Sequence, residues 1–439
     1  MSLKSTLLGT LCAAMVAVPT MTASAADSVY VPLLTYRTGA FAGSGIPIAN
    51  GMHDYLTMLN ERDGGIGGAM IEIEECETGY TAEKGVECYQ KTKSKGAVVY
   101  NPYSTAITLQ LIPKAAVDKI PVLSMAYGLS ASAVGNVFPW VFNPPDTYWD
   151  GASAVIKYIA EQEGGLDNLK GKKIGFIFFD GGYGREPIPL LEQFKDLYGF
   201  ELFLYPVPAA EMQNQSSLWL GVDRDDPDYM IMWGWGAMNP TAVKEAANIG
   251  YPMENFYGVW WAGSEDDARP AGDGAIGYRT LNINGTGSDF PAIQDIIKHV
   301  VEPGKSQVDA VSRVGENLYN RGVMNSVVIA EAIRTAQEIT GKSAIDGADM
   351  RRGLENLNIT AERLKEIGLE DFMQPLKVTC EDHNGHHPVR MQEWDGKQWQ
   401  PISDWLEPMR DVVRPMLEQA ALDYVAANQP WPERTEPCD

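Results

Sequence analysis

"YVPLLTYRTGAFAGSGIPIANG", residues 30–51, joins an apolar strand to an amphipathic helix through a turn that holds Gly39, Gly43 and Gly45. A strand that enters a helix in this way presents free backbone N–H groups and the positive end of a helix dipole, which suits a bound anion. A nucleotide phosphate there would indicate an enzyme, and the carboxylate of a small nutrient would indicate a carrier. The same unit recurs along the chain. Apolar runs at 29–34, 70–76, 97–101, 121–125, 173–180, 201–207, 229–234 and 256–261 read as strands. Helical patterns at 47–61, 82–93, 106–118, 148–161, 185–197 and 240–249 lie between them. Strand–helix alternation calls for parallel sheets covered on both faces. One sheet of this many strands would be unusually large, so the pattern predicts an α/β chain of two doubly wound parallel-sheet lobes.

The N-terminus sets the compartment. "MSLKSTLLGTLCAAMVAVPTMTASA" has Lys4, an apolar stretch from Leu7 to Val18, and Ala23-Ser24-Ala25 in the A-x-A pattern, so residues 1–25 read as a cleaved secretory leader. Cys12 follows Leu11 rather than a small residue, which argues against lipid attachment. No later stretch reaches the ~18 consecutive apolar residues of a spanning helix. The mature chain is therefore expected to be free of the membrane in an exported, oxidising space. A formal net charge of −23 repels nucleic acid and anionic membranes but permits one anion in a locally positive pocket.

Four cysteines follow the leader, and in an oxidising compartment an even number suggests disulfides. Cys76 ends a strand and Cys88 lies in the next helix, so their pairing would staple strand to helix. Cys380 with Cys438 would tie down the C-terminal tail. Free buried thiols are the alternative for both pairs.

Three stretches break the periodicity. "VFNPPDTYWDG" (141–151) and "GYRTLNINGTGSDFP" (277–291) could each cross between lobes, and a third change falls near 374–379. The expected division is 26–143 and 282–375 for the first lobe, and 144–281 and 376–402 for the second. Residues 403–439 form a helical, disulfide-tied extension. "PLKVTCEDHNGHHPVRMQEWDGKQWQPI" reads as a hairpin whose polar turn holds His383, His386 and His387. Those histidines raise a metal site, but the Asn-Gly pair favours a solvated turn, so no metal is expected.

Enzyme motifs are weakly supported. "TGAFAGSG" lacks both the G-x-G-x-x-G spacing and the P-loop Lys-Ser/Thr pair. There is no G-x-S-x-G elbow or H-E-x-x-H. Asp180 ends a strand without a histidine in a plausible partner segment, so it reads as structural. No cofactor is expected.

The order and spacing of several stretches resemble the type I periplasmic solute-binding proteins of ABC importers, in particular the branched-chain (hydrophobic) amino acid binders. The stretches are "YRTGAFAGSGIPIANGMHDYLTMLNERDGGIGG", the Cys76/Cys88 placement, "YNPYSTAIT", "GGYGRE", "GVWWAGSEDDARPAGDGAIGY" and "VRMQEWDGKQW". The resemblance implies a Venus-flytrap of two lobes joined by three crossover segments. It also implies that the exported space is the periplasm, with a solute in the cleft, delivery to membrane permease subunits, a monomer, and no catalysis. A ligand-presenting sensor partner would look the same.

Resemblance and strand-end position together nominate a site. Tyr103, Ser104 and Thr105 follow the third strand, where hydroxyls and helix N-terminal amides would hold a solute carboxylate; N-capping is the alternative for the two hydroxyls. Tyr127 and Gly128 would add backbone contacts, and Phe41 and Ser44 would line the mouth. Arg37 would either meet an anion or form a salt bridge beneath the loop. In the second lobe Tyr183, Trp235, Trp260 and Trp261 fall in cleft loops. Amino acid binders of the family carry an acid where this chain has Trp260-Trp261, and the nearest acids are Glu265 and Asp266. A buried ammonium without a partner is costly, while tryptophans offer apolar faces. The sequence therefore favours a small organic acid with an aromatic or apolar body. A branched-chain or aromatic amino acid is the alternative, since an ammonium can also rest on a π face. Neighbours on a strand point to opposite sides, so one of the two tryptophans should be core.

Overall fold

The computed structural model describes residues 27–432 together with 434, 436 and 438. The leader at 1–25 lies outside the described residues. The first strand, β1 (Ser28–Thr35), is buried almost throughout and pairs in parallel with β2 (Met70–Glu77). The extended segment 97–101 lies on the other side of β1, through bridges Tyr30–Ala97 and Leu33–Asn101. A Tyr100–Val122 bridge carries the sheet on to the parallel pair β3 (Val122–Leu123) and β4 (Val141–Phe142).

The chain then builds β5 (Lys173–Phe179), β6 (Glu201–Val207), β7 (Tyr229–Trp233), β8 (Phe256–Gly258) and β9 (Arg279–Asn282). It returns to the first lobe for the small antiparallel pair β10 (Asn358–Ile359) and β11 (Leu376–Lys377), then ends in β12 (Arg390–Trp394) and β13 (Trp399–Pro401). The second sheet has seven strands in the order β13-β12-β9-β8-β7-β5-β6, parallel from β6 to β9 and antiparallel at β12 and β13.

This topology fixes where a guest can sit. In the second lobe the chain steps outward from β5 to β6 and back across β5 to β7. In the first it steps from β1 to β2 and back to 97–101 on the far side of β1. Each reversal opens a crevice beyond the carboxyl ends of the two strands that flank it. The loops after β1, 97–101, β5 and β7 therefore form the facing walls.

The stretch 277–291 opens with strand β9, whose Arg279 and Thr280 pair with Tyr257 and Gly258. Two expectations are corrected. The third crossing falls later than residue 376, because the buried Leu376 pairs with Ile359 in the first lobe and the segment up to His387 stays packed there. The hairpin is confined to β12 and β13, and the histidine segment is not a solvated turn, since His383 and His387 are fully buried. His383 Nδ1–H donates to Val141 O (2.8 Å) while its ring stacks on Phe142. His387 Nε2 accepts the Gln374 N–H (2.8 Å), and only His386 reaches solvent, opposite Glu407. Among the described residues no group of three His, Cys, Asp or Glu side chains is arranged to hold a metal.

Both expected disulfides are present, Cys76–Cys88 and Cys380–Cys438. The extension is helical at Arg410–Ala427.

Candidate functional site

The crevice loops bring an aromatic cluster to the lobe interface. Tyr36 follows β1, Tyr80 follows β2 and Tyr127 follows β3; Trp235 follows β7 and Trp261 follows β8. Trp235 sits at the centre, its ring centroid 6.4 Å from Tyr36 and from Tyr80, 6.3 Å from Tyr127 and 5.4 Å from Trp261. Trp261 stacks on Tyr127 at 4.2 Å, and its Nε1–H reaches Ala126 O (3.3 Å) and Tyr148 Oη (3.2 Å). The contacts of Trp235 with the three tyrosines and of Trp261 with Tyr127 and Ala126 cross between the lobes, and apart from half-buried Tyr80 these side chains are almost fully buried. The Trp235 Nε1–H and the Tyr103 hydroxyl are buried and have no hydrogen-bond partner among the described residues. Buried polar atoms are ordinarily satisfied, so both are candidates to contact a solute.

The two adjacent tryptophans separate as strand alternation requires. Trp260 turns under the second lobe, where a methyl group on Gly151 would strike its ring. Trp261 turns to the first lobe. Behind it lies Arg321, fully buried in the long helix Asn317–Thr340, with its guanidinium 4.9 Å from the Trp261 ring centre. Its Nε donates to Asn284 Oδ1 (2.5 Å) and its Nη2 to Asn282 Oδ1 (3.0 Å), both at a crossover. Burial lowers its pKa to about 9. Arg321 thus ties the second crossover to the face of a cleft tryptophan.

The loop after segment 97–101 has a local role as well as its proposed one. Ser104 caps its own helix, accepting the Ile107 N–H (3.4 Å), and Thr105 Oγ1 accepts the Gly128 N–H (3.0 Å). An acid that the sequence did not single out lies beside them. Glu186, from the second lobe, accepts the Ser130 N–H (2.5 Å) across the interface. A methyl group on Gly128 would strike both its Oε2 and the Thr105 methyl. Burial raises the Glu186 pKa to about 7.

The remaining nominated residues are placed as follows. Phe41 packs on Tyr80 and reaches Phe179 of the second lobe, whereas Ser44 is buried in the first turn of helix Ala42–Asp63. Tyr183 lies 5.1 Å from Tyr148 and donates its hydroxyl to Gly234 O (3.0 Å). Arg37 forms a salt bridge to Glu75 (2.7 Å) and bonds Asn50, so its charge is engaged beneath the loop. Asp180 pairs with Arg185 (2.6 Å).

Glu265, also at the lobe interface, accepts the Asn317 N–H at the start of the long helix (3.1 Å to each oxygen). Burial and then Glu316 raise its pKa to about 8, and burial raises Asp267 to about 7. A carboxyl group whose folded pKa lies above its unfolded one favours the fold while protonated, so that stability is lost as pH rises from about 4.5 to 8. The buried histidines work the other way: burial lowers His383, and lowers His387 to about 3. Their contribution is lost as pH falls below about 6.5. Above about pH 6.5 only the acids contribute to the change, so the melting temperature is expected to decline from there toward pH 8. A flat profile from pH 6 to 8 would contradict the burial assigned to these acids.

This two-lobed architecture, with its facing crevices and crossing polar hub, has known counterparts. Residues 28–398 match a family model described as periplasmic binding protein. The chain belongs to that family. Periplasmic binding proteins of the type I fold are among its structural neighbours. A solved structure from the Pseudomonas fluorescens group, described as an ABC transporter permease, is 40% identical over 94% of this chain and 100% of its own, with a TM-score of 0.86. A branched-chain amino acid ABC transporter protein from Thermus thermophilus with bound valine is 18% identical over 88% of this chain and 99% of its own, at a TM-score of 0.73. A solute-binding protein from R. palustris in complex with benzoate is 16% identical over 87% of this chain and 97% of its own, at 0.67. No curated protein matches the chain. Among the described residues of this periplasmic binding protein, no helix is long and apolar enough to cross a membrane.

Proposed function

We propose that this periplasmic binding protein is the substrate-binding component of an ABC importer, and that it captures a small solute with a flat aromatic or apolar body between its lobes. It then delivers the closed complex to the permease subunits. It acts as a secreted monomer, without its leader and without a catalytic step. The observation that supports the aromatic body best is the cluster around Trp235, which draws three tyrosines from one lobe and Trp261 from the other. A solute gripped by both lobes binds the closed form better than the open one, and that difference drives closure. The related fold with benzoate is compatible with such a guest, as is the one with valine. Two tryptophans in place of an acid after β8 favour an aromatic or apolar body, with an amino acid as the alternative.

A thermal-shift screen of aromatic acids, amides, amines, amino acids and short fatty acids tests this reading. A solute at 100 times its dissociation constant adds about 2.7 kcal/mol. Trp261→Ala removes the stacking on Tyr127 and should weaken binding by about 2–3 kcal/mol, roughly 30- to 150-fold by calorimetry. A response to aliphatic solutes alone, unchanged in Trp261→Ala, would overturn the aromatic assignment.

A further inference from the structure

Glu186 poses a charge problem that the proposed site does not resolve. It follows the short helix Gly182–Arg185, and its backbone is fixed by the Trp149 indole, which donates to Glu186 O (2.8 Å). The side chain crosses the interface to the Ser130 N–H and lies against Gly128 and Thr105, at the loop expected to hold a solute's acid group. No Lys, Arg or His pairs with it among the described residues. The neighbouring Arg185 turns away, to Asp180 (2.6 Å) and the Phe178 ring.

Glu186 is half-buried, and taking a carboxylate even partly out of water without a cation is costly, in line with its raised pKa. A solute carboxylate placed beside Thr105 would meet a second negative group at close range, which adds repulsion to desolvation. A protonated amine or amidine at the same place would supply the missing counter-charge. The chain's strong negative charge also draws cations toward the cleft.

We propose that Glu186 sets the charge specificity of the cleft by pairing with a cationic amine or amidine group of the solute and excluding an anionic group from the Thr105–Gly128 corner. This inference rests on the proposed capture of an aromatic-bodied solute and assigns its polar end. It departs from the organic acid that the sequence favoured. The acid that is missing after β8 is supplied by the loop after β5.

Three probes of nearly identical shape test it: benzamidine, benzamide and benzoate, titrated by calorimetry at pH 8 into the full-length mature protein and into Glu186→Gln. The parent should bind benzamidine at least about tenfold more tightly than benzoate, with benzamide between them. Glu186→Gln should lose about tenfold or more for benzamidine, change little for benzamide, and bind benzoate no more weakly than before. A circular dichroism melt of the variant checks that it is folded. If benzoate binds best to the parent, or if the order survives Glu186→Gln, the assignment of Glu186 fails while the aromatic cleft stands. If none of the three binds the parent, the aromatic-solute reading fails and this inference falls with it.

Discussion

Gly51→Ala and Gly322→Ala are each expected to destabilise the first lobe by about 3 kcal/mol, seen as a fall on the order of 10 °C in its melting temperature. The two glycines lie where helix Ala42–Asp63 crosses helix Asn317–Thr340. A Cβ on Gly51 would strike the Tyr319 carbonyl oxygen and come within 3.0 Å of Val323 N. A Cβ on Gly322 would strike the Ile48 carbonyl oxygen and lie 2.8 Å from Met52 N. Backbone atoms cannot rotate away as side chains can, so the helices must separate and loosen the packing between them. Intrinsic helix propensity pulls the other way, since Ala is favoured over Gly by about 1 kcal/mol in a helix interior. Gly43, in the same helix as Gly51, provides the control: a Cβ there meets nothing within 4 Å. Gly43→Ala should leave the melting temperature unchanged or raise it slightly. If Gly51→Ala and Gly43→Ala melt alike, close contact is not what these glycines provide. The consequence reaches the site, because the same long helix positions Arg321 against Trp261.

The fold was readable because parallel strands buried on both faces are written as continuous apolar runs. β5 and β7 show this directly, and their ends in the sequence agree closely with those in the structure. β9 was missed for the same physical reason inverted. Its Arg279, Thr280 and Asn282 meet polar partners such as Glu393 and Gln392 on the neighbouring strand, so the run is not apolar. The Asn384-Gly385 pair does turn the chain, with Gly385 at φ 83°. A local turn signal cannot report that Phe142 and Gln374, distant in sequence, close over His383 and His387.

The candidate site was readable where position along a strand was enough. Trp235 and Trp261 follow strand ends, and so do Tyr36 and Tyr80, which the same rule would have found had every aromatic after a strand been considered. Glu186 needed more. Its partner Ser130 is 56 residues away and belongs to the other lobe, so only the folded chain brings the two together. Arg321 looks like a solvent-facing residue on an apolar helix, and its burial depends on the crossover asparagines that accept its hydrogen bonds.

Replacing Cys380 and Cys438 together by Ser is expected to cost about 4 kcal/mol, from the chain-entropy estimate for a span of 58 residues. The staple from Cys76 to Cys88 spans only 12 and should be worth about 3 kcal/mol. The longer bridge also has a route to the cleft. It closes the C-terminal segment, whose Trp431 indole donates to Val137 O (2.8 Å) while Trp431 and Tyr424 pack on Phe138. Arg410 and Arg414 of the same extension pair with Asp382, beside Cys380. The covered segment, 130–138, begins with the residue whose N–H meets Glu186. Losing the bridge should therefore lower amide protection across 130–138 as well as the melting temperature, and should weaken solute binding without changing which solute is preferred. Hydrogen exchange on the Cys380→Ser/Cys438→Ser protein reads the first effect and calorimetry the second. An unchanged melting temperature would show that the extension is held by its aromatic and ionic contacts alone. A large loss of stability with undisturbed exchange at 130–138 would show that the brace ends before it reaches the wall of the cleft.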